Sequence, residues 1–154
     1  MLIGITGDTH DDYFAVNKVA EKGGKVDCWF HTGDVWPDAE TLSAITDKKV
    51  YAVAGNNDWG QKPEDYSKII ELEGSRIWLT HGHKYLRDLL GEAKAREADV
   101  VVYGHTHVPD ISWHDGILLI NPGSPSYPRQ NSKKGLVVLH LEKGSKPFAE
   151  FIQL

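Results

Sequence analysis

Cysteine and long apolar runs are scarce in this chain of 154 residues. Cys28 is the single cysteine, which excludes an intrachain disulfide and a CxxC metal or redox site. The longest apolar run, residues 50–54, has five residues, whereas a membrane-spanning helix needs about 20. No basic leader followed by an apolar stretch precedes the first polar motif. We therefore expect a cytoplasmic protein with no membrane-spanning segment and no signal peptide.

Basic residues are also fewer than acidic residues. Lys and Arg total 17 against 22 Asp and Glu, which gives a formal net charge of −5. Proteins that bind duplex nucleic acid usually carry a basic stripe, and the densest basic group here is Arg129 with Lys133 and Lys134. We therefore expect no strong nucleic-acid surface. The length and a hydrophobic fraction of 40% suit one core, so residues 1–154 are predicted to form a single domain.

One pattern recurs five times along the chain: a short apolar run ends in glycine and in polar or ionisable residues. Runs rich in β-branched and aromatic residues and closed by glycine predict buried strands. Apolar residues at helical spacing lie between these runs and predict three helices, the last over residues 85–97. Alternation of strand and helix favours a mainly parallel sheet. The five copies are Leu2–Asp8, Val26–Asp34, Val50–Asp58, Ile77–Gly82 and Val100–His107.

The first two predicted helices have short apolar faces. We expect Pro37 in the first turn of the second helix. The expected buried positions are Phe14, Val16, Val19 and Ala20 in the first helix and Leu42 and Ile45 in the second.

The second part of the chain has a different organisation. From about residue 110 the helical patterns stop, and residues 111–113, 117–120, 136–141 and 148–152 predict further strands. These strands suggest two sheets packed together, with helices outside. Residues 121–135 form a long polar connection with three prolines, and loops of this length are usually functional or mobile.

Metal-ligating residue types follow all five predicted strands. Ligands bind beyond the carboxyl ends of parallel strands, and in extended chain the pairs Asp8-x-His10 and His105-x-His107 would each point to one side. Any one pair could instead be an ordinary turn. Together they exceed what one divalent ion holds, and mixed donors favour Mn, Fe, Co, Ni or Zn over Ca. We therefore predict two bridged ions held by Asp8, His10, Asp34, Asn56, His81, His105 and His107.

The order of these motifs resembles the calcineurin-like metallophosphoesterase superfamily, in particular its small single-domain phosphodiesterase branch. The resemblance implies an α/β fold, a four-layer α/β/β/α sandwich of two mixed sheets flanked by helices. It also implies that Asp8, His10 and His107 hold one ion, that Asn56, His81 and His105 hold the second, and that Asp34 bridges them. The matching motifs are Gly7-Asp8-Thr9-His10, Gly33-Asp34, Gly55-Asn56-Asn57-Asp58, His81-Gly82-His83, Gly104-His105-Thr106-His107 and Asn121-Pro122-Gly123-Ser124.

One position departs from the family pattern. Asn57 stands where the family usually has a histidine that helps the leaving group to depart, and an amide is not a proton donor near neutral pH. The hypothesis is a metal-dependent phosphodiesterase, weak on monoesters, in which a hydroxide that bridges the two metals attacks phosphorus. Two divalent ions, the carboxylates of Asp8 and Asp34 and one hydroxide leave a single positive charge, which balances a diester. Manganese is the first choice of metal, with Ni, Fe, Co, Zn and Mg as alternatives.

Other residues near the motifs have two interpretations each. Asn57 and Asp58 are assigned to the catalytic site, where Asp58 is expected to support its loop or orient a ligand imidazole; a plain turn carboxylate is the equal alternative for Asp58. Arg129 is assigned, with Asn57, to substrate binding, and a subunit contact in a homo-oligomer is the equal alternative. Trp36 and Trp59 either stack on an aromatic group or pack beside the site. The predicted substrate is a small phosphodiester, with nucleotide-like compounds among the candidates.

Two further functions compete with this hypothesis. The first is a non-catalytic protein-interaction scaffold on the same fold, like the small subunit of retromer, although such scaffolds typically lose metal ligands. The second is a nuclease, against which the lack of a basic stripe argues. His31 and His83 flank the motifs and are expected either to orient ligands or to be merely structural.

Overall fold

The computed structural model describes residues 1–154 and contains ten β-strands and three α-helices. None of these helices combines the length and the hydrophobicity that a membrane-spanning segment requires. In chain order the elements are β1 (Leu2–Thr6), α1 (Tyr13–Gly23), β2 (Cys28–His31), α2 (Trp36–Thr46), β3 (Val50–Ala52), β4 (Ser67–Leu72), β5 (Ser75–Thr80), α3 (Leu89–Ala95), β6 (Val100–Val102), β7 (Pro109–His114), β8 (Ile117–Pro122), β9 (Gly135–His140) and β10 (Phe148–Gln153).

The strands form two mixed sheets of five strands each. The first sheet has the order β10-β9-β1-β2-β3, in which β1, β2 and β3 are parallel. The second has the order β4-β5-β6-β8-β7, in which β5, β6 and β8 are parallel and the two edge strands run antiparallel to their neighbours. The predicted fold class of two mixed sheets with flanking helices is confirmed. The five repeated motifs, however, are divided between two sheets and do not share the edge of one.

Strand alternation divides the apolar residues between the layers. Ile5 and Phe30 of the first sheet and Ile77 and Ile120 of the second are buried in one cluster, so the two sheets pack face to face. The opposite face of the first sheet carries Trp29, which packs beneath α1 and α2, and the outer face of the second sheet packs against α3. The order of layers is therefore helix, sheet, sheet, helix.

The helices differ from the predictions at three points. Phe14 is 81% exposed and Ile45 is 40% exposed, so neither belongs to the core face that its spacing suggested. The predicted helix over residues 85–97 is shorter, because the Asp88 carboxylate accepts a hydrogen bond from Gly91 N at 3.1 Å and caps an α-helix that begins at Leu89. A 3₁₀ turn, Leu86–Asp88, precedes it.

Strand β4 was not predicted from the sequence. It is an edge strand that pairs only with β5, and among its residues only Ile70 is buried, so the chain there has no clear apolar alternation. The polar connection is also shorter than predicted at its start. Residues 121 and 122 complete β8, and Asn121 is fully buried there.

Candidate metal centre

All seven predicted ligands come together where the carboxyl ends of the parallel strands of both sheets meet. The loops after β1, β2 and β3 supply ligands from the first sheet, and those after β5 and β6 supply ligands from the second. The cluster therefore lies between two sheet edges. From the first sheet come Asp8, His10, Asp34 and Asn56, and from the second come His81, His105 and His107.

The first group of donors joins β1 to β6. His10 Nε2 lies 3.2 Å from His107 Nε2, and His107 Nε2 lies 3.4 Å from Asp8 Oδ1. One ligand atom from each of these three side chains falls within 4.8 Å of the others, which is close enough to hold one metal ion. This group matches the first ligand set that the family resemblance implied.

The second group joins β3, β5 and β6. His81 Nε2 is 3.0 Å from Asn56 Oδ1 and 3.2 Å from His105 Nδ1, and Asn56 Oδ1 is also 3.0 Å from His105 Nδ1. These three side chains therefore converge on a common point. This group matches the second implied ligand set.

Asp34 lies between the two groups. Its Oδ1 is 3.6 Å from His81 Nε2, and its Oδ2 is 3.9 Å from His10 Nε2. One carboxylate thus reaches toward an imidazole of each group. This position is the one that a bridging ligand requires.

Asp8 provides a test of whether a cation fits here. Asp8 is fully buried, and its Oδ2 accepts a hydrogen bond from His105 N at 2.9 Å. Its Oδ1 is buried and makes no well-aligned hydrogen bond; the nearest imidazole nitrogens, of His107 and His81, lie 3.4 Å and 3.9 Å away. A buried carboxylate oxygen without a partner is costly, and a cation would compensate it. The residues present therefore fit divalent metal.

The expectation of extended chain at the ligand pairs is wrong. Asp8, His10, Asp34, His105 and His107 have positive φ angles of 51°, 52°, 49°, 68° and 59°. The chain turns sharply at these strand ends, and His105 and His107 consequently point into different groups. Non-glycine residues in this conformation cost on the order of 1 kcal/mol each and concentrate at functional sites.

Hydrogen bonds from the other ring nitrogen orient the two best-buried imidazoles among the predicted ligands. His81 Nδ1 donates to Thr32 O at 2.8 Å, and His107 Nδ1 donates to Tyr127 O at 2.6 Å. Each bond leaves Nε2 free to face the cluster, the arrangement common to metal-ligating histidines. Sequence reasoning did not identify Thr32 or Tyr127, because each acts through a backbone carbonyl that any residue could provide.

Local charges set the protonation of these groups. Burial alone would raise the pKa of Asp34, but the charge of His81 and hydrogen bonds from Asn57 lower it below its ordinary value. The Asp8 carboxylate raises the pKa of His107 against the effect of burial. Burial, assisted by the charge of His81, lowers the pKa of His105. Asp34 is therefore an anion at neutral pH, as a metal ligand must be.

The two residues assigned to catalysis have different positions. Asn57 donates to both oxygens of Asp34, from Nδ2 to Oδ2 at 2.6 Å and from its backbone N to Oδ1 at 3.0 Å. Asp58 is buried and accepts hydrogen bonds from the backbone N–H groups of Asp34, Trp36 and Gly55 at 3.0, 2.6 and 2.7 Å. Asp58 thus supports the loops that carry the ligands.

The flanking histidines also differ. His31 is buried, accepts from Gly33 N at 3.2 Å through Nδ1, and contacts Thr9 Oγ1 at 3.2 Å through Nε2. It therefore fixes two ligand-bearing loops. His83 lies beside the cluster, with its ring 5.3 Å from that of His81, and burial together with the charge of His81 lowers the pKa of His83 to about 4.

The sequence left two interpretations open for Arg129, Trp36 and Trp59. Arg129 donates from its backbone N to His107 O at 3.1 Å, while its side chain is exposed. Trp36 is half-buried with Lys68 Nζ 5.2 Å from its ring centre, which agrees with packing beside the site. Trp59 is 88% exposed.

Buried serines of the loop after β8 were not predicted as site residues. Ser124 Oγ donates to Asp8 O at 2.8 Å, and Ser126 Oγ donates to Thr9 O at 2.7 Å. Ser124 belongs to a motif that the family resemblance includes, but no local pattern predicts its contact with Asp8 across 116 residues.

Comparison with known proteins agrees with this geometry. The sequence model of the calcineurin-like phosphoesterase superfamily domain matches residues 1–144. A probable metallophosphoesterase of Methanocaldococcus jannaschii is 41% identical over 140 residues, which cover 84% of this chain and 70% of the relative.

Solved structures share the whole fold. A novel archaeal phosphodiesterase superposes with a TM-score of 0.80 and 26% identity, covering 99% of this chain and 100% of the other. Vps29 of Entamoeba histolytica, complexed with zinc, superposes with a TM-score of 0.76 over 99% of each chain, but at 20% identity this likeness concerns the fold alone. The match to the family model over nearly the whole sequence shows that the chain belongs to the calcineurin-like phosphoesterase superfamily.

Proposed function

We propose that the protein is a phosphodiesterase that uses two divalent metal ions. Asp8, His10 and His107 would hold one ion and Asn56, His81 and His105 the other, with Asp34 between them. The observation that carries this proposal is the buried Asp8 Oδ1, which makes no well-aligned hydrogen bond and faces His81 and His107. The similarity to a solved archaeal phosphodiesterase supports it.

The chemistry divides between the ions and the chain. When bound, divalent ions act as Lewis acids, which withdraw charge from phosphoryl oxygens and make water more acidic. The chain supplies two carboxylates, of which Asp34 is kept anionic by its surroundings. Hydrogen bonds to Thr32 O and Tyr127 O keep Nε2 of His81 and of His107 directed at the cluster.

Asn57 bears on the choice between diesters and monoesters. One N–H of its amide is used by Asp34, and the other is available to a phosphoryl oxygen. Neither can protonate a leaving group near neutral pH. A monoester dianion also carries more charge than a diester and would need further positive groups. The site therefore suits a small phosphodiester whose leaving group departs without a protein acid.

Metal analysis and turnover test this function together. The purified protein with Mn²⁺ should cleave bis(p-nitrophenyl) phosphate faster than p-nitrophenyl phosphate. Asp34→Asn should lose both metal and turnover, whereas Asp115→Asn, a change in an exposed turn carboxylate that pairs with Lys94, should lose neither. Faster cleavage of the monoester would overturn the diester preference. Metal binding by the wild type without any turnover would support the scaffold alternative.

The identity of the metal needs a separate comparison. Mixed oxygen and nitrogen donors accept several first-row ions, so Mn²⁺ is proposed as the native choice, with Zn²⁺, Ni²⁺, Co²⁺, Fe²⁺ and Mg²⁺ as competitors. Apoprotein loaded with each ion in turn should show the highest diesterase activity with Mn²⁺. Higher activity with another ion would reassign the metal without affecting the ligand set.

A further inference from the structure

Tyr127 has an exposed aromatic ring beside the candidate metal centre. Its side chain is 60% exposed, and its ring centre lies 5.7 Å from that of His10 with the two ring planes at 90°. The ring belongs to none of the apolar clusters of the core, and its aromatic contact is with the predicted metal ligand His10. The ring lies beside the first ligand group, within reach of a molecule bound there.

The backbone of Tyr127 is fixed to the ligand loops at both its polar groups. Its N–H donates to Ser124 Oγ at 2.8 Å, and its carbonyl accepts from His107 Nδ1 at 2.6 Å. Ser124 in turn donates to Asp8 O at 2.8 Å. The backbone that carries the ring is therefore held by the same hydrogen bonds that connect to Asp8 and His107. This reduces the conformational entropy lost when the ring binds a ligand.

Charge near the ring favours an anion. Arg129 follows two residues later, and its backbone N is hydrogen-bonded to His107 O at 3.1 Å. Its guanidinium is exposed, and its positive charge opposes protonation of both His105 and His107. An aromatic ring and a cation on one side of a phosphate-binding site suit a phosphate ester that carries a planar substituent.

We infer that Tyr127 is a specificity-determining residue whose ring stacks on a planar aromatic group in the substituent that the phosphodiester retains after cleavage, such as a nucleobase or an aryl group. This inference rests on the proposed phosphodiesterase function and specifies its substrate class. The carbonyl of Tyr127 orients His107 whatever its side chain is. Replacing the side chain therefore separates substrate stacking from support of the metal ligand.

Three esters with the same p-nitrophenolate leaving group test the inference. They are the p-nitrophenyl esters of thymidine 5′-phosphate, phenyl phosphate and methyl phosphate. The Mn²⁺-loaded wild type should prefer the thymidine and phenyl esters, whose retained substituent is aromatic, to the methyl ester. Tyr127→Ala should raise KM for these two esters on the order of 10-fold, the usual effect of losing one stacked base, with little change for the methyl ester. If KM rises for only one of these two esters, the aromatic substituent of that ester is the group that Tyr127 recognises.

Two control variants define the outcome. Tyr127→Phe keeps the ring and should stay within about 2-fold of the wild type. Phe148→Ala removes a ring that is 58% exposed at the opposite end of β1 and should change nothing. An equal rise in KM for all three esters in Tyr127→Ala, or no rise for any of them, would overturn the stacking role.

A binding measurement separates this inference from the proposed function. Calorimetric titration with thymidine 5′-monophosphate and with methyl phosphate needs no turnover. The wild type should bind the thymidine compound more tightly, and Tyr127→Ala should weaken only that binding. Tighter binding of thymidine 5′-monophosphate without hydrolysis of any ester would refute the phosphodiesterase function but support the stacking role of Tyr127. Equal binding of both compounds by the wild type would refute the stacking role of Tyr127.

Discussion

Asn57 donates two hydrogen bonds to Asp34, one to each carboxylate oxygen, at 2.6 Å from its side-chain amide and at 3.0 Å from its backbone. The residue that replaces the family's usual histidine thus holds the carboxylate between the two ligand groups. Asn57 positions a metal ligand as well as bordering the place where a substrate would lie. Substitution of Asn57 should therefore affect both metal binding and ester turnover.

Asn57→Ala removes the side-chain bond and keeps the backbone bond. Because partners of metal ligands are typically worth 10–100-fold in affinity or activity, we expect Mn²⁺ affinity and diesterase activity to fall by about 10-fold or more. Calorimetric titration with Mn²⁺ and turnover of bis(p-nitrophenyl) phosphate measure the two effects. Unchanged metal affinity in this variant would show that the backbone bond alone orients Asp34.

Asn57→His introduces a group that can donate a proton near neutral pH. We expect the ratio of monoesterase to diesterase activity to rise relative to the wild type, because the leaving group then gains an acid. The two p-nitrophenyl substrates measure this ratio under the same conditions. An unchanged ratio, with metal still bound, would attribute the diester preference to charge and not to the missing acid.

Ser124 joins the loop after β8 to the loop after β1. Its buried hydroxyl donates to Asp8 O at 2.8 Å and accepts from Tyr127 N at 2.8 Å. Ser124→Ala leaves both groups without this partner in a buried place, so the free energy of unfolding should fall by about 1–3 kcal/mol. Urea unfolding measures it, with Ser145→Ala on an exposed turn as a control that should change by less than about 0.5 kcal/mol.

Much of the site was predictable because ligand type and strand periodicity are local properties. Gly33 and Asp34 follow an apolar run, and this order alone places Asp34 at a strand end. The family resemblance then divided the seven ligands into two groups, which the positions of His105 and His107 match. Spacing alone gave the wrong answer for this pair, because it assumed extended chain where φ is positive.

The remaining features depend on contacts that the sequence does not encode locally. Ser124 contacts Asp8 across 116 residues, and Tyr127 meets His10 in the same way. Strand β4 is held by pairing with β5 although only Ile70 in it is buried. Tertiary pairing of this kind overrides weak local pattern.

Gly33 is required by both its conformation and its surroundings. Its φ is 105°, and a Cβ added there would lie 2.7 Å from Gly55 N, next to the ligand-bearing residues Asp34 and Asn56. We expect Gly33→Ala to lose more than about 2 kcal/mol of stability and to weaken Mn²⁺ binding, because the backbone of the β3 loop must move.

Gly116→Ala is the matched control for Gly33→Ala. Gly116 has a φ of 79°, and a Cβ added there would meet nothing within 4 Å. It should therefore show only the conformational cost, about 1 kcal/mol, with unchanged Mn²⁺ affinity. Thermal unfolding and Mn²⁺ titration measure both effects. Equal effects of the two substitutions would mean that crowding at Gly55 is unimportant.

Asp8→Asn tests the buried oxygen that carries the functional proposal. In EDTA the wild type keeps a buried carboxylate oxygen that makes no well-aligned hydrogen bond, so neutralising Asp8 should leave stability equal or raise it by about 1 kcal/mol. With Mn²⁺ at about 100 times its Kd the wild type should gain about 2.7 kcal/mol, and the variant should gain far less. Thermal unfolding at pH 8.5 compares the four conditions. A variant that is clearly less stable in EDTA would show that Asp8 is a structural anion, and the argument for metal from its unpaired oxygen would fail.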